Sequence, residues 1–163
     1  MGESNLYTLE TTFLAKEEKP GKKTSLILDI LVDADVLVAL AKLDDSNHKK
    51  AVEISEKLQE EGAFWYFSPF TVAEAATVLS YKVSHKSACD FLREVRKLDI
   101  SILSLNDQDV PLADKWFLKQ KKKGTSHFDC YNMALMDRYS KAFDAIFSFD
   151  RVYEDNNFKL VEI

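Results

Sequence analysis

The chain has 163 residues, 46% of them hydrophobic and 30% charged, which suits one globular domain with a proper core and excludes a disordered segment. Its net charge of −5, from 22 Lys and Arg against 27 Asp and Glu, excludes a basic nucleic-acid coat protein, so any contact with nucleic acid has to be a local site where metal ions supply positive charge. No apolar run reaches the ~20 residues of a bilayer span, no basic and apolar leader opens the chain, and the two cysteines, Cys89 and Cys130, are too few for a disulfide framework; a cytoplasmic protein without membrane contact is expected.

Residues 1–25 are polar and Thr-rich and close on Pro20-Gly21-Lys22-Lys23; they are expected as an N-terminal extension, with Leu6, Tyr7, Leu9, Phe13 and Leu14 offering a short strand or anchor, ahead of a domain spanning 26–163. Leu26 to Val32 is almost all apolar and β-branched, the pattern of a strand buried on both faces. Val36 to Ala41 reads as a short helix, and Ser46-Asn47 caps a second helix that Gly62 ends. Phe64 to Phe67 is a second strand, with Trp65 and Tyr66 in the core, and Ser68-Pro69 opens a helix to about Tyr81. Ser84 caps another to about Leu98, with Ala88, Phe91, Leu92 and Val95 on one face. Ile100 to Leu105 is a third strand. Asn106 or Asp107 starts a helix to about Lys122; Gly124 breaks it and Ser126 starts the next, to about Lys141. Ala145 to Phe149 and Lys159 to Ile163 are the fourth and fifth strands. Strands separated by helices require a parallel sheet covered on both faces, with right-handed crossovers.

Four acids stand where this layout places a site. Asp33 ends the first strand, Glu74 follows the second within a turn or two, Asp129 opens the helix before the fourth, and Asp150 follows the fourth directly. Ligands of open α/β sheets bind outside the carboxyl ends of the strands. Gathered carboxylates raise one another's pKa, and a hard cation relieves that cost. Oxygen ligands without His or Cys select Mg²⁺ or Mn²⁺, and such ions serve phosphodiester chemistry without a nucleophilic side chain. Each acid also has a plainer role: Asp33 as a helix N-cap, Asp129 in a capping box with Ser126, Glu74 as a solvated helix residue, Asp150 at a turn. Glu74 fits its plain role worst, because Val72, Ala73, Ala75 and Ala76 surround it.

Four segments, in order, resemble the motifs of PIN-domain ribonucleases: Ile30-Leu31-Val32-Asp33-Ala34-Asp35, Ser68-Pro69-Phe70-Thr71-Val72-Ala73-Glu74, Ser126-His127-Phe128-Asp129-Cys130-Tyr131-Asn132-Met133-Ala134 and Phe147-Ser148-Phe149-Asp150-Arg151. The resemblance covers about Leu26 to Ile163. It implies a metal-dependent endoribonuclease, most closely a VapC-type toxin with RNA as substrate and a small antitoxin as partner. It places the metal-binding and catalytic acids at Asp33, Glu74, Asp129 and Asp150, and Mg²⁺ or Mn²⁺ as the cofactor. Asp35 departs from the family's frequent Asn and has three roles open: extra ligand, acceptor behind the ligands, or helix cap. The fold expected is a three-layer α/β/α domain with a five-stranded sheet of order 3-2-1-4-5.

Two other functions compete. Asp33-Ala34-Asp35 after a strand fits a haloacid-dehalogenase-like phosphatase, although the later Gly-Asp signature of such enzymes is missing; a non-catalytic PIN-like scaffold is the second. Lys119, Lys121, Lys122 and Lys123 precede Gly124 and are either an RNA-phosphate patch or a solvated helix end. A C2 homodimer is expected from aromatics such as Phe91 and Tyr81 on helix faces left exposed.

Overall fold

The computed structural model describes residues 28–162; the extension expected at 1–25 lies outside them. Three strands carry the centre of the fold: β1 (Asp29–Val32), β2 (Phe64–Phe67) and β4 (Ala145–Phe147). β1 is parallel to both neighbours, with Ile30 beside Trp65 and Ala145, Leu31 beside Tyr66 and Ile146, and Val32 beside Phe67 and Phe147. A two-residue strand, β3 (Ser101–Ile102), adds to β2, giving the order β3-β2-β1-β4 with every pair parallel.

Side chains alternate across a strand with a period of two, and that splits the core into two layers. Ile30, Val32, Trp65, Phe67, Ala145 and Phe147 face the first. Packed there are α1 (Ala34–Ala41), α2 (His48–Glu60), α3 (Thr71–Lys82) and α4 (His85–Val95). Leu31 and Ile146 face the second layer, made by α5 (Pro111–Lys119), α6 (His127–Arg138) and the one-turn α7 (Val152–Asp155). This is the three-layer α/β/α arrangement that the alternation of strands and helices demands.

The local signals that held have simple geometry. Gly62 sits at φ +75°, and the Ala63 and Gly62 amides donate to the carbonyls of Leu58 and Gln59, closing α2 as a Schellman turn. The Ser84 hydroxyl caps α4 by accepting the Ser87 amide at 3.0 Å.

Other expectations need correction. The fifth strand is a single parallel bridge, Ile146 to Leu160, in which the Ile146 and Val161 amides donate to the carbonyls of Lys159 and Ile146. β4 is only three residues long, because the chain turns away at Ser148, so little ladder is offered to a neighbour. The position beside β4 is nevertheless the one expected. β3 is shorter than Ile100 to Leu105: the Leu103 amide still donates to Phe67, but Leu105 has left the sheet to bond the Tyr131 hydroxyl of α6. α3 begins at Thr71 rather than at Pro69, since the Ser68 hydroxyl accepts the Phe70 amide and folds residues 68–70 into a turn. Helix α5 starts with Pro111 at its first turn, after the Asn106 side chain has closed a turn on the Asp109 amide, and it stops at Lys119 because Gln120 is extended. α6 ends at Arg138. Phe91, expected on an exposed face, is fully buried between α4 and the sheet, whereas Tyr81 is 88% exposed.

Phe91 gives a direct check of the packing. Phe91→Ala should destabilise the fold by about 3–5 kcal/mol, the usual cost of emptying a core aromatic site. Urea unfolding should show a lower midpoint with an unchanged slope; a loss within the ±0.5 kcal/mol typical of surface positions would place Phe91 outside the core.

Candidate active site

Asp33 follows β1 directly, and its amide donates to the Phe147 carbonyl, so the sheet itself fixes the backbone. The side chain is 4% exposed. Its Oδ1 accepts the Ala34 amide at 2.8 Å and Asn132 Nδ2 at 3.1 Å; its Oδ2 accepts the hydroxyls of Ser148 and Tyr153, each at 3.0 Å. The first bond caps α1. The others come from α6, from the turn after β4 and from α7. Burial holds the Asp33 carboxyl well above its usual pKa, and repulsion from Asp35, Asp129 and Glu74 adds to it.

Asp35 lies in the first turn of α1, and its Oδ2 accepts the Phe149 amide at 2.7 Å and meets Ser148 Oγ at 3.0 Å. Ser148 therefore stands between two carboxylates with one hydroxyl proton. It also accepts the Asp150 amide at 3.1 Å. Both carboxylate contacts are satisfied together only when one of the two acids carries a proton. The electrostatics agree: burial raises Asp35 to about 6, against the opposing bonds from Phe149 and Ser148.

Asp129 and Glu74 face the same cluster. Ser126 and Asp129 form the capping box of α6, with the Asp129 amide donating to Ser126 Oγ at 3.0 Å and the Ser126 amide to Asp129 Oδ2 at 2.7 Å. Burial raises the Asp129 pKa, the Ser126 bonds lower it, and Asp150 raises it. Glu74, in the first turn of α3, is half-buried; burial first, then repulsion from Asp129 and Asp35, pushes it to about 7. Thr71 helps place this turn, its hydroxyl donating to the Val32 carbonyl at 3.4 Å. Asp150 is exposed and closes a turn, with Oδ1 accepting the Val152 amide at 2.9 Å.

The donor set fits a hard divalent cation: oxygen only, several carboxylates, and two buried oxygens, Asp35 Oδ1 and Asn132 Oδ1, without a hydrogen-bond partner. The spacing is looser than a finished metal shell. Among the described residues no three His, Cys, Asp or Glu side chains form a ready-made ligand group. A groove of about 490 Å³ opens beside Ser148 and Phe149, but none of the five acids lines it.

All four acids singled out in the sequence thus belong to one electrostatic neighbourhood at the carboxyl end of the sheet. Asp35 joins them as an acceptor for the turn after β4, with one oxygen left over. Asn132 stands in the third sequence segment but is given no role there, and Tyr153 is not singled out. Asn132, three residues after Asp129, shares its helix face; Tyr153 carries no sequence signal beyond its place shortly after Asp150. Neighbouring Cys130 is buried, and burial pushes its thiol to about 11, so it stays protonated.

Asp35 and Glu74 keep their protons to about 6 and about 7 when folded, against ordinary carboxyl values near 4. The folded state then binds protons more tightly than the unfolded one. The stability from this is fully present below about pH 4 and is lost as the pH rises through about 6 to 7. Glu74→Gln should match the metal-free wild type in melting temperature at pH 4 and exceed it at pH 8 by a few degrees, on the order of a kcal/mol or less. The same difference at both pH values would rule out a raised Glu74.

Comparison with known proteins adds the family. The PIN domain matches residues 30–159, a span that holds every acid described above. Nine chains of solved structures match. One is the crystal structure of Mycobacterium tuberculosis VapC20, described as a Sarcin-Ricin loop cleaving toxin, with a TM-score of 0.65 and 19% identity over 82% of this chain and 98% of that chain. At that identity the likeness is one of fold. No curated protein matches the chain. With the sheet order, the placement of the acids and the family match in agreement, the chain belongs to the PIN domain family.

Proposed function

We propose that this chain is a divalent-metal-dependent endoribonuclease, the toxin of a VapBC-type pair. The observation that carries the reading is the set of buried, mutually repelling carboxylates around Asp33, fixed by four donors at the carboxyl end of a parallel sheet. Toxin identity follows the resemblance of the four sequence segments to VapC-type toxins, with fold likeness to VapC20, itself a toxin. A small antitoxin and a C2 homodimer belong to the same reading.

Asp33, Glu74, Asp129 and Asp150 are the residues to hold Mg²⁺ or Mn²⁺, joined by the spare oxygen of Asp35. When bound, the ion lowers the pKa of a water and stabilises charge on the phosphoryl oxygen. The remaining work falls to the chain. Asn132, Ser148 and Tyr153 keep the Asp33 carboxylate in one orientation. Tyr153 remains a phenol, because burial and the Asp33 charge push its pKa up; its hydroxyl donates to Asp33 while its oxygen accepts Asn132 Nδ2 at 3.1 Å. Glu74, with its longer stem, completes the shell around the ion or positions the attacking water; its pKa of about 7 reflects burial and repulsion from Asp129 and Asp35, which a cation would relieve.

The phosphatase alternative needs Asp33 as a free nucleophile and Asp35 as a free acid. The later Gly-Asp signature of such enzymes is missing from the chain, and residues 30–159 match the PIN domain instead, which favours the nuclease.

RNA cleavage followed with and without EDTA tests the reading. Chelation should stop cleavage and added Mn²⁺ should restore it. Asp33→Asn keeps the shape but removes a charge and replaces one acceptor oxygen by an NH2 donor; it should lower the rate about a thousandfold, the equivalent of several kcal/mol of charge stabilisation. Cleavage that survives both EDTA and Asp33→Asn sinks the mechanism.

A further inference from the structure

Large aromatic side chains are usually buried, yet two stand partly exposed directly beside the acids. Phe70, 37% exposed, caps the N-terminus of α3, and its carbonyl accepts the amide of Glu74. Phe128, 39% exposed, lies in the first turn of α6, immediately before Asp129. The two come from different layers of the sequence but meet with ring centroids 5.4 Å apart. Phe70 also rests edge-on against Tyr131 at 4.8 Å. Tyr131 is itself buried, and its hydroxyl is pinned to the Leu105 amide. The exposed pair is thus built on a rigid base and loses little freedom on meeting a ligand.

We propose that Phe70 and Phe128 form a stacking platform for an unpaired base of the RNA next to the cleaved bond. The proposal rests on the ribonuclease reading above and adds how the substrate is held. Three observations favour a base as the occupant. The rings sit on the turns that carry two of the acids: the Phe70 carbonyl accepts the Glu74 amide, and Phe128 directly precedes Asp129. The segment leading into α6 carries exposed Lys121 and Lys123, a positive charge suited to the phosphates on either side of such a base. Finally, two half-exposed rings form a patch of the size of a base, far below the ~1,000 Å² that a stable protein interface covers. Bases in a duplex are stacked on one another and cannot offer a face, whereas every unpaired base has one.

The experiment uses the full chain and a short unstructured oligoribonucleotide. Phe70→Ala and Phe128→Ala should each lower kcat/KM about 10- to 100-fold, the usual effect of losing one base–aromatic stack. Because the Ala variants also lose packing on Tyr131, Phe70→Leu and Phe128→Leu keep apolar bulk without a ring and should fall likewise, while Phe70→Trp and Phe128→Trp should retain activity. An RNA with one abasic nucleotide, moved along the strand, should lose a similar factor at one position with the wild type and lose nothing more with the Ala variants. Full activity in the Leu variants, or abasic losses that add to those of the Ala variants, overturns the proposal. Unchanged activity and affinity in both Ala variants also overturns it, and leaves the rings to a protein surface. The reading beneath it fails differently. If the wild type cleaves no RNA with Mn²⁺, anisotropy of the labelled oligonucleotide on Asp33→Asn, with and without Phe70→Ala, still decides the platform: a 10- to 100-fold loss of affinity supports it and an equal affinity overturns it.

Discussion

Burial of the Asp33 carboxylate is the constraint around which the carboxyl end of the sheet is arranged. An ionised carboxylate taken out of water costs several kcal/mol unless other groups replace the water. The chain brings those groups from far apart in sequence: a helix N-terminus, an amide from α6, a hydroxyl from the turn after β4 and a phenol from α7. Once they are in place, β1, β4, α6 and α7 cannot shift independently. The acid is at once the residue most in need of the fold and the one that holds its last elements in register.

The other acids follow the same economy of atoms. Asp129 gives one oxygen to the capping box of α6, and Asp150 gives one to the turn that starts α7. Asp35 gives one to the Phe149 amide. A plain structural role and a chemical one are therefore not alternatives in this site. The backbone bond fixes the carboxylate, and the fixed carboxylate keeps an oxygen for other work. A carboxylate has lone pairs enough for both, which is why caps and turns are suitable places for ligands.

Much of this was legible in the chain of letters, for identifiable reasons. The Leu26 to Val32 run, polar only at Asp29, marks a strand covered on both faces, and Asp33 ends it. Gly62 and the Ser126-x-x-Asp129 spacing declare their turns because their geometry is local. Asn132 and Tyr153 were not legible, since their role depends on meeting Asp33 across 99 and 120 residues. Periodicity misjudged Phe91, because it reports which face of a helix is apolar and not what covers that face. It also overran the end of the sheet, because a fifth strand needs a partner as long as itself, and β4 stops early.

That shortness has its own effect. A long, flat strand at the margin of a sheet exposes a row of amides and carbonyls on which another chain can grow. Here one described margin is the two-residue β3 and the other the single bridge at Leu160. Neither is long enough to template a stranger. Newly made copies crowding one another have little backbone to grasp along either margin, so strand-by-strand polymerisation finds no foothold there. Association among such copies falls instead to side chains on the helical faces, where a single substitution can tune it.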